Sequence, residues 1–205
     1  AQQPLRSMIL VKWMSLADNE ALLQISAKCG GILSEAVRTG KEIVRLDLPG
    51  RKSKRNEQTF YTFVGRDALQ SLKEYFDRDR GYPKAGEPVW LVDGHNPTDM
   101  WIIHSWLRLV RRAKLIPRER ATRLTRYGYN LHNSRDLAIS LLNTVSGFNP
   151  LCAEFFAGHT QKIDPLGYNQ FWNVKPDYVK KQYELAEPFL NILTGPAGDQ
   201  ELKAV

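Results

Sequence analysis

Two stretches rich in β-forming residues most constrain what this chain can fold into. Residues 42–48 alternate apolar and polar side chains and end at Pro-Gly, while residues 59–64 read Thr-Phe-Tyr-Thr-Phe-Val. Together they predict an antiparallel hairpin whose tip spans 50–58. Apolar residues elsewhere recur mainly at helical spacing, in 5–13, 19–28, 33–38, 66–78, 96–115, 134–145, 151–157 and 176–193. We therefore expect a mainly α fold with a small antiparallel β-sheet. The helical pattern that starts at residue 19 is interrupted at Gly30-Gly31, and residues 89–92 are expected to form a short extended segment.

The composition is that of an ordinary globular protein with an excess of basic residues. The 205 residues are 42% hydrophobic and 25% charged, which fits a single domain over 1–205. The formal net charge of +7 favours a polyanionic partner, either nucleic acid or an anionic membrane surface. No apolar run is long enough for a transmembrane helix, and two cysteines cannot form a disulfide framework. The chain does not begin with Met, so we expect a piece of a longer protein.

Two clusters carry the excess of positive charge. One lies at the predicted hairpin tip, and the other lies within 108–126, where Glu119 is the one acidic residue. The members are Arg51, Lys52, Lys54 and Arg55 in the first cluster and Arg108, Arg111, Arg112, Lys114, Arg118, Arg120, Arg123 and Arg126 in the second. Either cluster alone is compatible with a solvated surface, but the two together favour contact with the phosphate backbone of double-stranded DNA.

The residues most informative about function lie between 131 and 168. His132 and Arg135 are three residues apart and share one face at the start of a predicted helix. Gly158-His159 places a second histidine 24 residues after Arg135, and Tyr168 follows 9 residues later in Asp-Pro-Leu-Gly-Tyr. A His-x-x-Arg spacing alone arises often by chance, whereas the ordered set with both later spacings is more specific.

This order of residues resembles the tyrosine recombinases, also called the phage integrase family. Their catalytic domains carry a His-x-x-Arg box, a Gly-His pair about two dozen residues later and a nucleophilic tyrosine nine residues beyond it. The resemblance covers roughly 5–192, with 131–168 as its motif-specific part. It implies the recombinase catalytic-domain fold without the usual N-terminal DNA-clamping domain. It also implies a homotetramer on two DNA sites, in which the segment 176–205 either is exchanged between protomers or packs on its own domain.

The activity implied by the resemblance is site-specific recombination of double-stranded DNA. The protein would integrate or excise a mobile element, either in the cytoplasm (nucleoid) of a prokaryote or as a virus- or plasmid-encoded enzyme, with no role for a membrane. The extended hairpin and the Asp-Pro-Leu-Gly-Tyr segment look like those of archaeal or deep-branching bacterial integrases.

The resemblance gives each residue of this set a role in the reaction. Tyr168 would form a covalent 3′-phosphotyrosyl link, which stores the bond energy for rejoining. Arg135 would offer fixed donors to the non-bridging phosphate oxygens. His132 and His159 would donate hydrogen bonds there or move a proton. The reaction requires no metal and no cofactor, and the sequence contains no metal-binding cluster of the kind that a two-metal nuclease uses.

The resemblance also implies a lysine on the hairpin that acts as general acid toward the leaving 5′ hydroxyl. Counting from the end of the first strand favours Lys52, whereas counting back from Gly65 favours Lys54. The two lysines remain alternatives, and simple phosphate contact is a further interpretation of both.

The first arginine of the family pattern, Gly-Leu-Arg-x-x-Glu at the end of an apolar helix, is missing. Residues 14–20 fit the frame with Ala17 at the arginine position and Glu20 three residues later. Residues 29–35 fit it too, with Ile32 at the arginine position. We favour Ala17 because an apolar helix directly precedes it. Two explanations of the alanine remain open: it is an engineered substitution, or it is natural and an arginine from elsewhere in the chain takes the role. In either case, impaired activity is one expected consequence.

Three further alternatives follow from the same residues. Tyr178 and Tyr183 compete with Tyr168 as the nucleophile, although both lie on the last predicted helix, where aromatic residues usually belong to the core. The missing arginine favours a catalytically impaired, recombinase-like DNA-binding protein, which the ordered motif opposes. A type IB topoisomerase-like strand transferase shares the tyrosine chemistry but relaxes supercoils as a monomer.

Overall fold

A computed structural model of the chain describes residues 3–49, 59–115, 129–159 and 171–195. Within these residues the α-helices are α1 (Gln3–Ser15), α2 (Asn19–Lys28), α3 (Gly30–Arg38), α4 (Arg66–Tyr75), α5 (Asp99–Arg112), α6 (Asn133–Leu142), α7 (Pro150–Phe156), α8 (Phe171–Val174) and α9 (Pro176–Leu190), and a π-helix, Phe76–Arg80, continues α4. Strands β1 (Val44–Leu48) and β2 (Phe60–Val64) pair antiparallel. The predicted mainly α fold with a small antiparallel sheet is confirmed.

The two strands differ in burial because they face different neighbours. β1 alternates buried and exposed residues and packs on α2 and α3, whereas β2 is buried throughout and packs on α1 and α7. The hydroxyl of Thr62 donates to the carbonyl of Ser15 at 2.7 Å, which ties the sheet to the end of α1. The other face of β2 carries Tyr61 and Phe63 into an aromatic core. The hairpin tip, 50–58, lies outside the described residues.

Helix α1 runs through the middle of the molecule and contacts α2, α4, α5, α6, α9 and β2. Met8, Val11 and Met14 are fully buried, as expected for a helix covered on all sides. A lysine in its last turn, Lys12, is fully buried as well. This buried charged side chain becomes important for the site described below.

Helix α9 packs on the domain of its own chain. Tyr183 is fully buried and donates its hydroxyl to the carbonyl of Met14 at 3.0 Å, and the indole of Trp13 donates to the carbonyl of Leu190 at 2.8 Å. Just beyond the helix, the carboxylate of Asp67 accepts hydrogen bonds from the backbone of 193–194. Half of the apolar stripe predicted for this helix is buried (Val179, Ala186 and Leu190), and the other half is exposed (Tyr178, Leu185 and Phe189).

The helical pattern breaks after Lys28, close to the predicted interruption, and the glycine pair at 30–31 opens α3. A Cβ atom on Gly30 would lie 2.1 Å from the carbonyl oxygen of Glu87, and one on Gly31 would lie 2.9 Å from the Cα of Ala85. The glycines therefore allow a loop to approach the first turn of the helix closely. Their role is one of packing, which the linear sequence does not distinguish from a helix break.

The predicted extended segment at 89–92 forms no strand. Val92 makes an isolated bridge with His95, while Val89 and Trp90 are fully buried. The indole of Trp90 donates to the hydroxyl of Ser7 at 2.8 Å. The apolar run reflects side-chain burial against α1 and not backbone pairing.

Both cysteines are buried free thiols. Burial raises the pKa of Cys29 to about 11 and that of Cys152 to about 12, so both thiols stay protonated at neutral pH. Among the helices that the structure describes, none has both the length and the apolar character needed to cross a membrane.

Candidate active site

Three segments that are distant in the sequence meet around Arg135, in the first turn of α6. Its side chain is 1% exposed. One guanidinium nitrogen, Nη2, donates to the carbonyl of Ala157 at 2.5 Å and contacts Nε2 of His159. The other, Nη1, lies 3.4 Å from Oδ2 of Asp18. The structure therefore brings together the turn after α1, the start of α6 and the end of α7, each of which carries one predicted motif.

The end of α7 explains the Gly-His pair. Gly158 has φ +70 and donates its N–H to the carbonyl of Phe155 at 2.8 Å, while the N–H of His159 donates to the carbonyl of Glu154 at 2.9 Å. These two bonds form the Schellman motif that commonly ends a helix. Glycine is favoured at the first position because a positive φ strains other residues. The turn carries the imidazole of His159 back beside the side chain of Glu154.

The hydrogen bonds of His159 fix its protonation. Its Nδ1 lies 2.6 Å from Oε2 of Glu154, and its Nε2 contacts the guanidinium of Arg135. A guanidinium only donates, so Nε2 accepts and the proton resides on Nδ1, which donates to the carboxylate. In this tautomer the lone pair of Nε2 faces the guanidinium of Arg135.

The turn between α1 and α2 is strained and buried. Leu16 is a fully buried residue with φ +55, a conformation that costs a bulky side chain of the order of 1–2 kcal/mol. Ala17 follows it and is 2% exposed. Asp18 then caps α2, because its Oδ1 accepts from the N–H of Ala21 at 2.8 Å. One carboxylate thus serves both the helix N-terminus and Arg135.

Lys12 lies under this turn and was missed by the sequence patterns. Its Nζ donates to the carbonyl of Ala17 at 2.8 Å. Burial lowers its pKa to about 8, with Arg135 acting in the same direction and Asp18 opposing. The periodicity of α1 predicts that position 12 is buried, but it contains no signal that distinguishes a buried lysine from one whose stem reaches the surface.

His132 and Glu20 lie on an open cleft of about 390 Å³ beside the buried groups. The cleft is also lined by Asp18, Asn19, Leu23 and Asp99. His132 is half exposed, and its Nε2 is 3.8 Å from Oδ1 of Asp136. The predicted frame at 14–20 and the His-x-x-Arg box therefore share a surface, but that surface carries acidic side chains.

The alternative frame at 29–35 does not lead to Arg135. It belongs to α3, which packs on α2, α4 and β1. Ile32 is 49% exposed there. Because Asp18, the neighbour of Ala17, contacts Arg135 directly, the geometry favours the frame that contains Ala17.

The second basic cluster begins on the exposed end of α5. Arg108, Arg111 and Arg112 are exposed and lie three or four residues apart, so they share a helix face. The indole of Trp106 donates to the carbonyl of Tyr129 at 2.6 Å, which ties this end of α5 to the segment that leads into His132. Cations at a helix C-terminus also stabilise the helix through its dipole, so the cluster has a structural explanation besides DNA.

Lys114 ends the helix in an unusual way. It has φ +54, and its N–H donates to the carbonyl of Arg111 at 3.0 Å, while that of Leu115 donates to the carbonyl of Val110 at 3.3 Å. This is again the Schellman pattern, with a lysine where glycine is preferred.

Several predicted residues lie outside the described residues. They are the nucleophile Tyr168, the hairpin residues Arg51, Lys52, Lys54 and Arg55, and the later basic residues Arg118, Arg120, Arg123 and Arg126. Of the rival tyrosines, Tyr183 belongs to the core, and burial raises its pKa well above the ordinary value. Tyr178 is partly exposed on α9.

Within the parts of the chain that the structure describes, no three His, Cys, Asp or Glu side chains are grouped so that they could hold a metal ion. Comparisons with protein-family models, with curated proteins and with solved structures give no match.

Proposed function

We propose that this chain cuts and rejoins double-stranded DNA as the catalytic domain of a tyrosine recombinase. The observation that carries the proposal is the convergence on Arg135. Its guanidinium contacts His159, 24 residues later in the chain, and Asp18, 117 residues earlier, so parts of three motifs form one site. A chance His-x-x-Arg spacing has no reason to lie against a Gly-His pair and the end of an apolar helix.

In the proposed reaction the hydroxyl oxygen of Tyr168 attacks the scissile phosphorus and forms a 3′-phosphotyrosyl bond while the bond to the 5′ oxygen breaks. The tyrosine proton passes to a base, for which neutral His159 offers Nε2. The leaving 5′ oxygen takes a proton from Lys52 or Lys54. A 5′ hydroxyl then reverses the step and rejoins the strand, so the reaction consumes neither metal nor cofactor.

Arg135 supplies the donors for the phosphate oxygens. Its guanidinium is covered in the DNA-free chain by Asp18, His159 and the carbonyl of Ala157. A phosphate reaches it by replacing the Asp18 carboxylate, so the guanidinium exchanges one anionic partner for another. When Arg135 turns toward the phosphate, Nε2 of His159 is released to accept the tyrosine proton.

The proposed partner is double-stranded DNA, bound by a homotetramer on two recombination sites. The basic face of α5 and the hairpin tip would contact the phosphate backbone. The exposed half of the α9 stripe, Tyr178, Leu185 and Phe189, is the surface available for contact between protomers. Light scattering with and without a site-bearing duplex tests the assembly, because a stable tetramer without DNA would contradict it.

A second candidate function is that of a recombinase-like DNA-binding protein with impaired catalysis. Ala17 favours it, because no guanidinium extends from the position where the family carries its first arginine, and a carboxylate follows directly. This candidate predicts DNA binding without a covalent intermediate.

Covalent capture tests the two candidates together. The full chain is incubated with a random-sequence library of nicked duplexes, denatured, and separated so that only covalently bound DNA remains. Sequencing of the captured strands identifies the recombination site. We expect a covalent adduct that is lost in Tyr168→Phe and retained in Tyr178→Phe, the matched control at a partly exposed tyrosine.

The outcomes of this experiment distinguish between the candidate functions. An adduct that persists in Tyr168→Phe would show that Tyr168 is not the nucleophile. DNA binding without any adduct would support the impaired binder, and relaxation of supercoiled plasmid without joining of two duplexes would support a type IB topoisomerase-like activity. Absence of both binding and adduct would refute the DNA function.

A further inference from the structure

The most unusual group outside the predicted motifs is the ammonium of Lys12. It is fully buried at the end of α1 and donates to the carbonyl of Ala17, the residue at the arginine position of the family frame. Lysine is almost never fully buried unless it is paired, because removing its charge from water is expensive. A methionine or leucine at this position would fill the same volume without that cost.

We propose that Lys12 is a positioning residue that supplies positive charge beneath the phosphate site where the chain lacks its first arginine. This inference rests on the proposed function. Because Lys12 is fully buried, it does not touch DNA. It acts through its electric field and by holding the turn at Ala17 in place.

The charges facing Lys12 come from three other parts of the fold. Asp18, after the turn, attracts the cation most strongly, and Arg135 on α6 repels it. Asp99 on α5 and Asp136 on α6 attract it more weakly. The Asp18 carboxylate contacts Arg135 and acts electrostatically on Lys12, so a phosphate that replaces the carboxylate on Arg135 places a further anion near Lys12.

This arrangement predicts that DNA binding raises the proton affinity of Lys12. With a pKa of about 8 in the free protein, Lys12 is mostly neutral at pH 8.5 and is charged more fully when a phosphate lies close by. A tenfold rise in proton affinity corresponds to uptake of about half a proton per bound chain at that pH. A lysine that only caps α1 would give no such uptake.

The test measures proton uptake by the full chain when it binds a mixed-sequence DNA duplex at low salt. Titration calorimetry at pH 8.5 is repeated in buffers of different ionisation enthalpy. We expect uptake by the wild type and none by Lys12→Met. At pH 7.5 the affinity of Lys12→Met for DNA should fall by about tenfold, the effect expected of one charge at about 10 Å in a medium of effective dielectric constant about 20.

Lys28→Met is the matched control, since Lys28 lies in the last turn of α2 and is exposed, so the change in net charge is the same. It should retain proton uptake and nearly all of the affinity. Wild-type binding that weakens in Arg135→Met but proceeds without proton uptake would overturn the role of Lys12 alone. A wild type that binds no duplex would overturn the proposed function and this inference with it. The absence of proton uptake by the wild type overturns the role of Lys12 even if Lys12→Met does not fold.

Discussion

Phe155 and Phe156 of α7 enter an aromatic core, whereas Ala157 and His159, at the end of the same helix, belong to the charged site around Arg135. In the core the ring centroids of Phe155 and Trp172 lie 4.9 Å apart, and burial of such rings is the main source of folding free energy. The remaining rings of this core, also buried, are those of Tyr61, Phe63 and Tyr183.

The charged site has the opposite energetics. It buries Lys12 and Arg135, with Asp18 in contact with Arg135, and the desolvation of two cations opposes folding. The comparison shows that the core fixes the end of α7 firmly enough to hold a site that is itself costly. Along α7, the residues that stabilise the fold are therefore different from those that contribute to the candidate site. Four predictions test this difference.

The largest expected effect lies in the aromatic core. Phe156→Ala should lower the free energy of unfolding by about 3–5 kcal/mol, because Phe156 is fully buried and its loss leaves a cavity between Phe63 and Tyr183. Urea denaturation measures the change. Leu137→Ala, at a side chain that is 62% exposed, is the control and should stay within about 0.5 kcal/mol. A loss below about 1 kcal/mol for Phe156→Ala would break the comparison.

The next effect is a pH dependence that belongs to the charged site. Lys12 has a folded pKa of about 8 against an ordinary 10.5, so between these values the unfolded chain binds more protons and stability rises with pH. The penalty is complete below pH 8 and disappears above 10.5, a gain of about 3 kcal/mol. The buried thiols of Cys29 and Cys152, whose pKa values are raised, lower the stability of every variant above pH 9, so the effect of Lys12 is measured as a difference. In urea denaturation between pH 7.5 and 10.5, the wild type and Lys28→Met should gain this amount relative to Lys12→Met. Parallel curves for all three proteins would contradict it.

A smaller loss of stability is expected at Gly158, which lies between the aromatic core and the charged site. Gly158→Ala should destabilise the protein by about 2 kcal/mol, because the residue has φ +70 and a Cβ atom would lie 3.1 Å from the ring of Phe60. Gly40→Ala separates the two causes, since Gly40 has φ +65 with no atom near its Cβ position, and should cost about 1 kcal/mol. Equal losses in thermal denaturation would show that the contact with Phe60 has no effect.

The smallest effect is a gain. Lys114→Gly should stabilise the protein by about 0.5–1 kcal/mol, because glycine adopts φ +54 without strain. Lys114→Ala removes the same charge without relieving the strain, so it should not stabilise. If Lys114 contacts a phosphate, both variants should reduce the slope of log affinity against log salt by about 0.9. An unchanged slope would show that Lys114, at the basic end of α5, makes no contact with a phosphate and has only a structural role.

Much of the local structure could be predicted from the sequence. The bounds of α2 agree with the predicted 19–28, and the hairpin pairs as its alternating residues require. These predictions of local structure succeed because periodicity and capping act over a few residues. The candidate site segments 14–20, 132–135 and 158–159 came instead from a resemblance to a family pattern, and their function stays a prediction.

Tertiary structure decided the rest. The break predicted at residues 30–31 lies where α2 ends and α3 begins, but the sequence does not show the packing role of these glycines, because the clash that they avoid involves Glu87, more than fifty residues away. The same reason applies to Lys12, whose position in α1 is evident from the sequence but whose burial, hydrogen bond to Ala17 and lowered pKa depend on α5, α6 and the turn that cover it. Sequence determines which face of a helix is apolar, whereas the neighbours that close over that face determine which charges are buried together and what they can bind.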